Sequence, residues 1–211
     1  MSSVETLTLG AAIATGLTLA ACAGLRAFLP VLALAVAARA GLIPLAGELQ
    51  WLASNTALIV LSSAVFFEVL GDKIPAVDHA LDAVGMVIRP IAGGLAAVVP
   101  FAAALPGLTG AQPQAGDWGA GSWAVLSAGA LAGGGLSAAV HLAKSSLRVG
   151  STGLTFGIAN PVLSLVEDGV GLAGVLLAIL LPLLALAGLA AAAAVAVIVL
   201  AARRQASPRR A

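Results

Sequence analysis

The sequence predicts an all-α, polytopic transmembrane bundle, and three observations lead to that class. Hydrophobic residues make up 61% of the 211 positions, whereas Asp, Glu, Lys and Arg together make up only 9%. An ordinary soluble domain carries roughly 25% charge, so this chain lacks the polar coat that a soluble fold needs. Apolar stretches recur along the whole chain, and several approach the roughly 20 residues that a helix needs to cross a bilayer.

Eight apolar stretches follow one another along the chain. They cover residues 6–24, 27–38, 54–70, 76–105, 122–143, 153–166, 167–181 and 183–202. The second lies between Arg26 and Arg39 and is too short to span, and the sixth is interrupted by Asn160-Pro161. Such short runs are typical of re-entrant or broken helices. We therefore expect six spans and two half-helices in a single integral membrane domain, 1–211.

The charge of the loops orients these six spans. With the N-terminus in the cytoplasm, Lys73, Lys144, Arg148 and the basic tail 203–211 all lie inside, and the loop 106–121, which has no Lys or Arg, lies outside. If both short segments crossed the membrane and gave eight spans, Lys73, Lys144 and Arg148 would lie outside and the loop 106–121 would lie inside. Because basic residues favour cytoplasmic loops, we prefer six spans. We expect a multi-pass protein of the bacterial inner membrane with a cytoplasmic C-terminus.

The two short segments share a local pattern. Gly-Leu followed by Pro-Val-Leu occurs within residues 24–32 and again within 153–163. Each half of the chain, 5–105 and 120–202, then contains three spans and one half-helix. Because three is an odd number of spans, the second half starts on the opposite side of the membrane and must be inverted relative to the first. Inverted repeats with broken helices are common in transporters. The sequence therefore predicts an inverted repeat.

Ionisable residues cluster on particular faces of the predicted spans. Asp78, Asp82 and Arg89 recur at helical spacing and form one stripe. Glu68 and Asp72 are four residues apart and share a face of the preceding segment. Charges at membrane depth are costly unless they are paired or hydrated, so these stripes indicate either a network of ion pairs or a hydrated functional site.

The second half carries a matching set of polar residues on two segments: His141, Lys144 and Arg148, then Asn160, Glu167 and Asp168. The first three have helical spacing and make a basic stripe at the end of their span. The others follow the start of the second half-helix. Stripes from both halves are therefore expected to face each other.

Two interpretations of these charges remain open. Acids and bases in nearly equal number suit a structural network of ion pairs. A hydrated cavity open to the cytoplasm is the other interpretation, because packing alone needs only small residues such as Gly129 and Gly133. Clustered carboxylates with a histidine could hold a divalent cation or relay protons, whereas arginines and half-helix N-termini favour an anion. The sequence does not decide the sign of the solute's charge.

The candidate binding site is divided among four positions. They are the core (Asp78, Asp82, Arg89), the cytoplasmic mouth (Glu68, Asp72), the two half-helix tips (Arg26, Asn160) and the opposite wall (His141, Lys144, Arg148, Glu167, Asp168). Any metal ligands among them are left unassigned.

Other function classes lack their sequence signatures. No Gly-x-Ser-x-Gly, His-Glu-x-x-His or Cys-x-x-Cys occurs, so neither an enzyme nor a cofactor is expected. A net charge of +1 provides no basic surface for nucleic acid. The expected partners are the lipid bilayer, the ion or small polar solute, and a second copy of the chain in a homo-oligomer.

Several motifs resemble a bacterial membrane family, domain of unknown function 4126. They are Gly24-Leu25-Arg26-Ala27-Phe28-Leu29-Pro30, Glu68-x-x-x-Asp72-Lys73-Ile74-Pro75-x-x-Asp78-His79-x-x-Asp82, Arg89-Pro90-x-x-Gly93, His141-x-x-Lys144-x-x-x-Arg148, and Asn160 with Ser164-x-x-Glu167-Asp168. The resemblance covers residues from about 5 to 200. It departs at 149–158, a glycine-rich stretch where the family implies a more polar turn. The family has no activity to carry over, so the resemblance supports only the order of segments.

The leading hypothesis is a small transporter or permease for an ion or polar solute, with phosphorylated solutes among the candidates. The alternative is a non-transporting scaffold or assembly partner that contains a structural ion-pair network. Its expected mark is an exposed small-residue face at Gly129 and Gly133. A lipid-modifying enzyme is a third hypothesis.

Overall fold

The computed structural model describes residues 3–45, 47–109, 120–155 and 158–206, and the regular structure of these residues is entirely helical. The helices are α1 (Ser3–Leu25), α2 (Phe28–Arg39), α3 (Asn55–Gly71), α4 (Pro75–Thr109), α5 (Ala120–Thr155), α6 (Asn160–Leu180) and α7 (Pro182–Ala206), and a 3-10 helix (Gly47–Ala53) precedes α3. The predicted all-α class is confirmed. The tail residues 207–211 and the loop 110–119 lie outside the described residues.

Four helices contain segments that are long and apolar enough to cross a membrane. These segments are Ala80–Ala104, Gly121–Thr155, Asn160–Leu180 and Pro182–Val199. The apolar stretches Leu9–Leu25, Phe28–Arg39 and Asn55–Gly71 are shorter. The chain is therefore a helical membrane protein, and the count of six spans stays a prediction.

The first helix lies at the centre of the bundle. α1 packs against α2, α4, α5, α6 and α7. Ala14, Leu19, Ala20 and Ala23 on this helix are completely buried. A helix that is apolar on all sides is suited to such an enclosed position, and its alanines let neighbouring backbones come close.

Glycines allow α4 and α5 to pack closely along their length. A Cβ added at Gly133 of α5 would lie 2.5 Å from the carbonyl oxygen of Gly93 on α4. The same Cβ would lie 2.5 Å from the Cβ of Ala97. Gly129 faces the ring of Phe101 in the same interface. Gly129 and Gly133 are therefore buried inside the chain, and the exposed small-residue face expected for a scaffold is not formed by this pair.

We expect Gly133→Leu to lower the free energy of unfolding by about 1–3 kcal/mol, because its side chain would collide with backbone that cannot move aside. Unfolding of the purified chain in mixed micelles, followed by circular dichroism, measures the effect. Gly135→Leu is the matched control, since a Cβ at Gly135 meets nothing within 4 Å. Equal effects of the two substitutions would show that the close contact does not limit stability.

Of the two segments predicted as half-helices, one forms a separate short helix, since the stretch 27–38 corresponds to α2 (Phe28–Arg39). Its half-helix character stays a prediction. The stretch 153–166 does not form a helix of its own: α5 continues to Thr155 and α6 begins at Asn160. That prediction was wrong because Asn160-Pro161 starts a long helix instead of interrupting one. Proline fits the first turn of a helix, where its missing N–H needs no partner.

Candidate functional site

Ten charged side chains meet beside the break between α1 and α2, and we call them the charge cluster. The acids are Glu68, Asp72, Asp82, Glu167 and Asp168, and the bases are Arg26, Lys73, Arg89, Lys144 and Arg148. Each lies within 4.0 Å of an opposite charge. The five acids equal the five bases in number, so their formal charges cancel.

The break leaves the first amides of α2 without partners inside their own helix. Glu68 of α3 supplies the missing acceptors. Its carboxylate accepts hydrogen bonds from the backbone N–H groups of Ala27, at 2.8 Å, and Phe28, at 3.3 Å. A negative charge at a helix N-terminus also interacts favourably with the helix dipole. Glu68 therefore caps α2 although it lies on another helix.

The opposite side of the break exposes the last carbonyls of α1, and cations bind them. Arg89 of α4 donates from Nη1 to the oxygens of Gly24, at 2.7 Å, and Leu25, at 3.0 Å. Lys144 of α5 donates to the Leu25 oxygen at 3.1 Å. Positive charge is favourable at a helix C-terminus. Both ends of the broken helix are thus held by charges from other helices.

Arg26 lies within the break itself and is only 1% exposed. Its guanidinium pairs with Asp72 and, at 2.5 Å, with Asp168 of α6. It also donates to Ser164 Oγ at 3.1 Å and to the backbone oxygen of Glu68 at 3.3 Å. Arg26 therefore connects the break to α3 and α6.

Asp72, in the turn between α3 and α4, is the acid shared by most bases. One carboxylate oxygen bonds to Arg26, lies 3.1 Å from Arg148 Nη2 and lies 3.8 Å from Lys144 Nζ. Burial raises the pKa of this carboxyl, but Lys144, Arg26 and Arg148 together hold the pKa below its usual range. Asp72 therefore stays ionised at neutral pH.

The first half of α6 supplies two more acids, Glu167 and Asp168. Glu167 lies 2.7 Å from Arg148 Nη2 and 3.0 Å from Lys144 Nζ. Asp168 lies 3.0 Å from Lys73 Nζ, and that amine also donates to Ser164 Oγ at 2.7 Å. Lys73 and Asp168 have side chains that are 34% and 25% exposed, so this pair forms the accessible edge of the cluster.

The centre of the cluster differs from the predicted core. Arg26 and Asp72 occupy the centre, and Arg89 lies beside them on the α1 carbonyls. Asp82 lies at the rim, 4.0 Å from Arg89 and 26% exposed. The side chain of Asp78 lies outside the described residues. The helical spacing correctly predicted that Arg89 faces the cluster. It could not predict that the centre of the cluster would lie at the break between α1 and α2.

Two other predicted residues take positions beside the cluster. His141 is 2% exposed and lies against α4, where a Cβ at Gly85 would be 3.4 Å from its ring. Asn160 lies at the start of α6, and its side-chain amide donates to Thr152 Oγ1 at 3.1 Å. Asn160 therefore marks the beginning of a long helix rather than the tip of a half-helix, and the structure shows no bond from it to the cluster.

Sequence reasoning missed Lys73 as a member of the site. Lys73 directly follows the predicted site residue Asp72 in the sequence, and this neighbourhood could have indicated that it belongs to the site. Ser164 appeared in the family motif with Glu167 and Asp168 but was not assigned to the site. In the structure Ser164 is completely buried and bonds to both Arg26 and Lys73.

A cavity of about 200 Å³ borders the cluster between α2, α3 and α6. Arg26, Glu68 and Asp168 provide its charged lining, and Leu29 and Leu172 belong to its apolar lining. A water molecule takes up about 30 Å³ of liquid, so the cavity has room for several waters or a small solute. Within the part of the chain that the structure describes, no three His, Cys, Asp or Glu side chains are grouped as ligands for a metal ion.

The model of one protein family, "Domain of unknown function (DUF4126)", matches residues 13–202. No curated protein matches the chain, and no solved structure does.

Proposed function

This chain belongs to the DUF4126 family, and from the geometry of its charge cluster we propose that it is a small permease for an ion or polar solute. The observation that carries the proposal is a helix broken at a buried charge cluster that borders a cavity. Many secondary transporters bind their substrate or coupling ion at discontinuous helices near the middle of the membrane. We further propose that the protein lies in the bacterial inner membrane with its C-terminus in the cytoplasm, and that it catalyses no reaction.

Shared ion pairs support a binding role for the cluster. Asp168 pairs with both Arg26 and Lys73, and Glu167 pairs with both Lys144 and Arg148. When a solute takes one partner of such an acid, the second partner still neutralises it. Entry of an ion or polar group therefore leaves no buried charge alone, which would otherwise be costly.

Several buried atoms of the cluster have no hydrogen-bond partner among the described residues. They include Arg26 Nε, a donor, and Asp72 Oδ1, an acceptor. A donor of this kind binds an anion or a carbonyl, and an acceptor binds a cation or a hydroxyl. The proposal therefore covers both charge signs, and phosphorylated solutes remain candidates.

Transport by the full chain in proteoliposomes tests the proposal with radiolabelled inorganic phosphate and Na⁺ as the two probes. We expect one probe to enter faster than in protein-free vesicles. Asp168→Asn is expected to reduce that rate about tenfold, because it removes the acid at the accessible edge of the cluster. The partial exposure of Asp168 predicts that the variant folds.

Arg39→Gln is the control, because Arg39 is exposed and bonds only to the Ala53 carbonyl among the interactions seen here. It should transport at the parental rate. If neither probe crosses faster than in protein-free vesicles, or if folded Asp168→Asn transports normally, the permease proposal fails. In that case the cluster is a structural network that holds the broken helix.

A further inference from the structure

A groove without any polar lining runs between α2 and α6. Its volume is about 320 Å³, and its walls include Ala33, Val36 and Ala37 on α2 and Leu172 and Leu176 on α6. The first wall extends from Leu29 on α2 to Ala40, the residue after α2, which is about 16 Å at about 1.5 Å per residue. The groove is therefore long and narrow, with a shape that fits one hydrocarbon chain.

The groove adjoins the cavity that borders the charge cluster, because Leu29 and Leu172 line both spaces. At this shared end the lining includes Arg26, Glu68 and Asp168 beside apolar residues. An ordinary lipid-facing surface of a helix has no such charged end, so the two spaces together match a molecule with an apolar tail and a charged head.

We propose that this groove binds one phospholipid with a zwitterionic ammonium head group, its acyl chain lying between α2 and α6. The unpartnered Nε of Arg26, on a side chain that is 1% exposed, is a donor for a phosphate oxygen. Glu68 and Asp168 are acceptors for the ammonium group. Two acids and one base line the cavity, so a head group that carries both charges complements it better than an anionic one. The head-group end shares Arg26 and Asp168 with the proposed solute site, but lipid binding does not require that a solute be transported.

Photolabelling tests the site with the full chain in detergent micelles. The probe is phosphatidylethanolamine with a diazirine on one acyl chain, and mass spectrometry maps the labelled residues. We expect labels on α2 and α6 groove residues, and we expect excess phosphatidylethanolamine to displace the probe more effectively than phosphatidylglycerol does.

Leu176→Trp should reduce groove labelling about tenfold, because the indole fills the chain's path. Leu165→Trp is the matched control: Leu165 lies on the same helix and is 64% exposed, but it does not line the groove. Equal competition by phosphatidylglycerol, or labelling that Leu176→Trp leaves unchanged, would overturn the proposal. A change of oligomeric state in Leu176→Trp without loss of labelling would assign the groove to a second copy of the chain and also overturn it.

Discussion

Asp72→Ala is expected to lower the free energy of unfolding by about 3–5 kcal/mol, the usual cost of removing one partner from a buried ion pair. The carboxylate is shared by Arg26, Lys144 and Arg148, which are 1%, 3% and 4% exposed. Without it, Arg26 still pairs with Asp168, and Lys144 and Arg148 still pair with Glu167. These three buried bases lose the acid that all of them share, so the balance of charge around them becomes more positive.

Denaturant unfolding of the purified chain in mixed micelles measures this loss. Asp82→Ala is the matched control, because it removes the same chemical group from the partly exposed rim of the cluster. It should cost about 0–1 kcal/mol, as partly solvated ion pairs do. Similar costs at both positions would mean that water reaches the centre of the cluster, contrary to the buried geometry.

Arg89→Met is expected to cost about 3–5 kcal/mol, because it removes both a buried charge and the donor for two helix-end carbonyls. Methionine preserves much of the aliphatic volume, so the loss is mainly polar. Lys144 still donates to the Leu25 oxygen, but the Gly24 oxygen loses the donor that the structure shows for it. Glu68 loses its nearby base as well.

Size-exclusion chromatography after graded heating in detergent gives the folded fraction for this variant. Arg39→Met makes the same chemical change at an exposed arginine that binds only one carbonyl, that of Ala53, in the described structure. It should remain within about 1 kcal/mol of the parent. If Arg89→Met is as stable as Arg39→Met, the end of α1 does not depend on the guanidinium.

These two predictions determine which residues can test transport. A variant at Asp72 or Arg89 that loses transport is also expected to lose stability, so its phenotype does not distinguish binding from folding. Asp168 and Lys73 lie at the accessible edge and pair with each other at 3.0 Å. Substitutions there change the charge that a solute meets while the caps on α1 and α2 remain in place.

Some features of the site followed directly from helical spacing. Lys144 and Arg148 are four residues apart, and both reach Glu167 from one face of α5. Glu68 and Asp72 are also four apart, and both turn toward the α1–α2 break. Residues at this spacing share a face in any helix, so the prediction needed no knowledge of the neighbouring elements.

Other features depended on boundaries that spacing does not define. Asn160-Pro161 resembled an interruption, yet it begins α6, because a proline in the first turn and a proline within a broken helix look alike in sequence. Gly129 and Gly133 indicated a close helix contact but not its partner. The partner is α4 of the same chain, and this changes the meaning of the motif from assembly to internal packing.

The sequence by itself determined that this protein is a helical membrane bundle and that its charges lie on a few helix faces, because composition and periodicity depend only on the order of residues. Only the tertiary structure decided that the faces meet at the α1–α2 break, that Glu68 caps one end, and that Arg89 and Lys144 hold the other. Helix ends need partners from outside the helix, and the three-dimensional packing alone selects which distant residue supplies them.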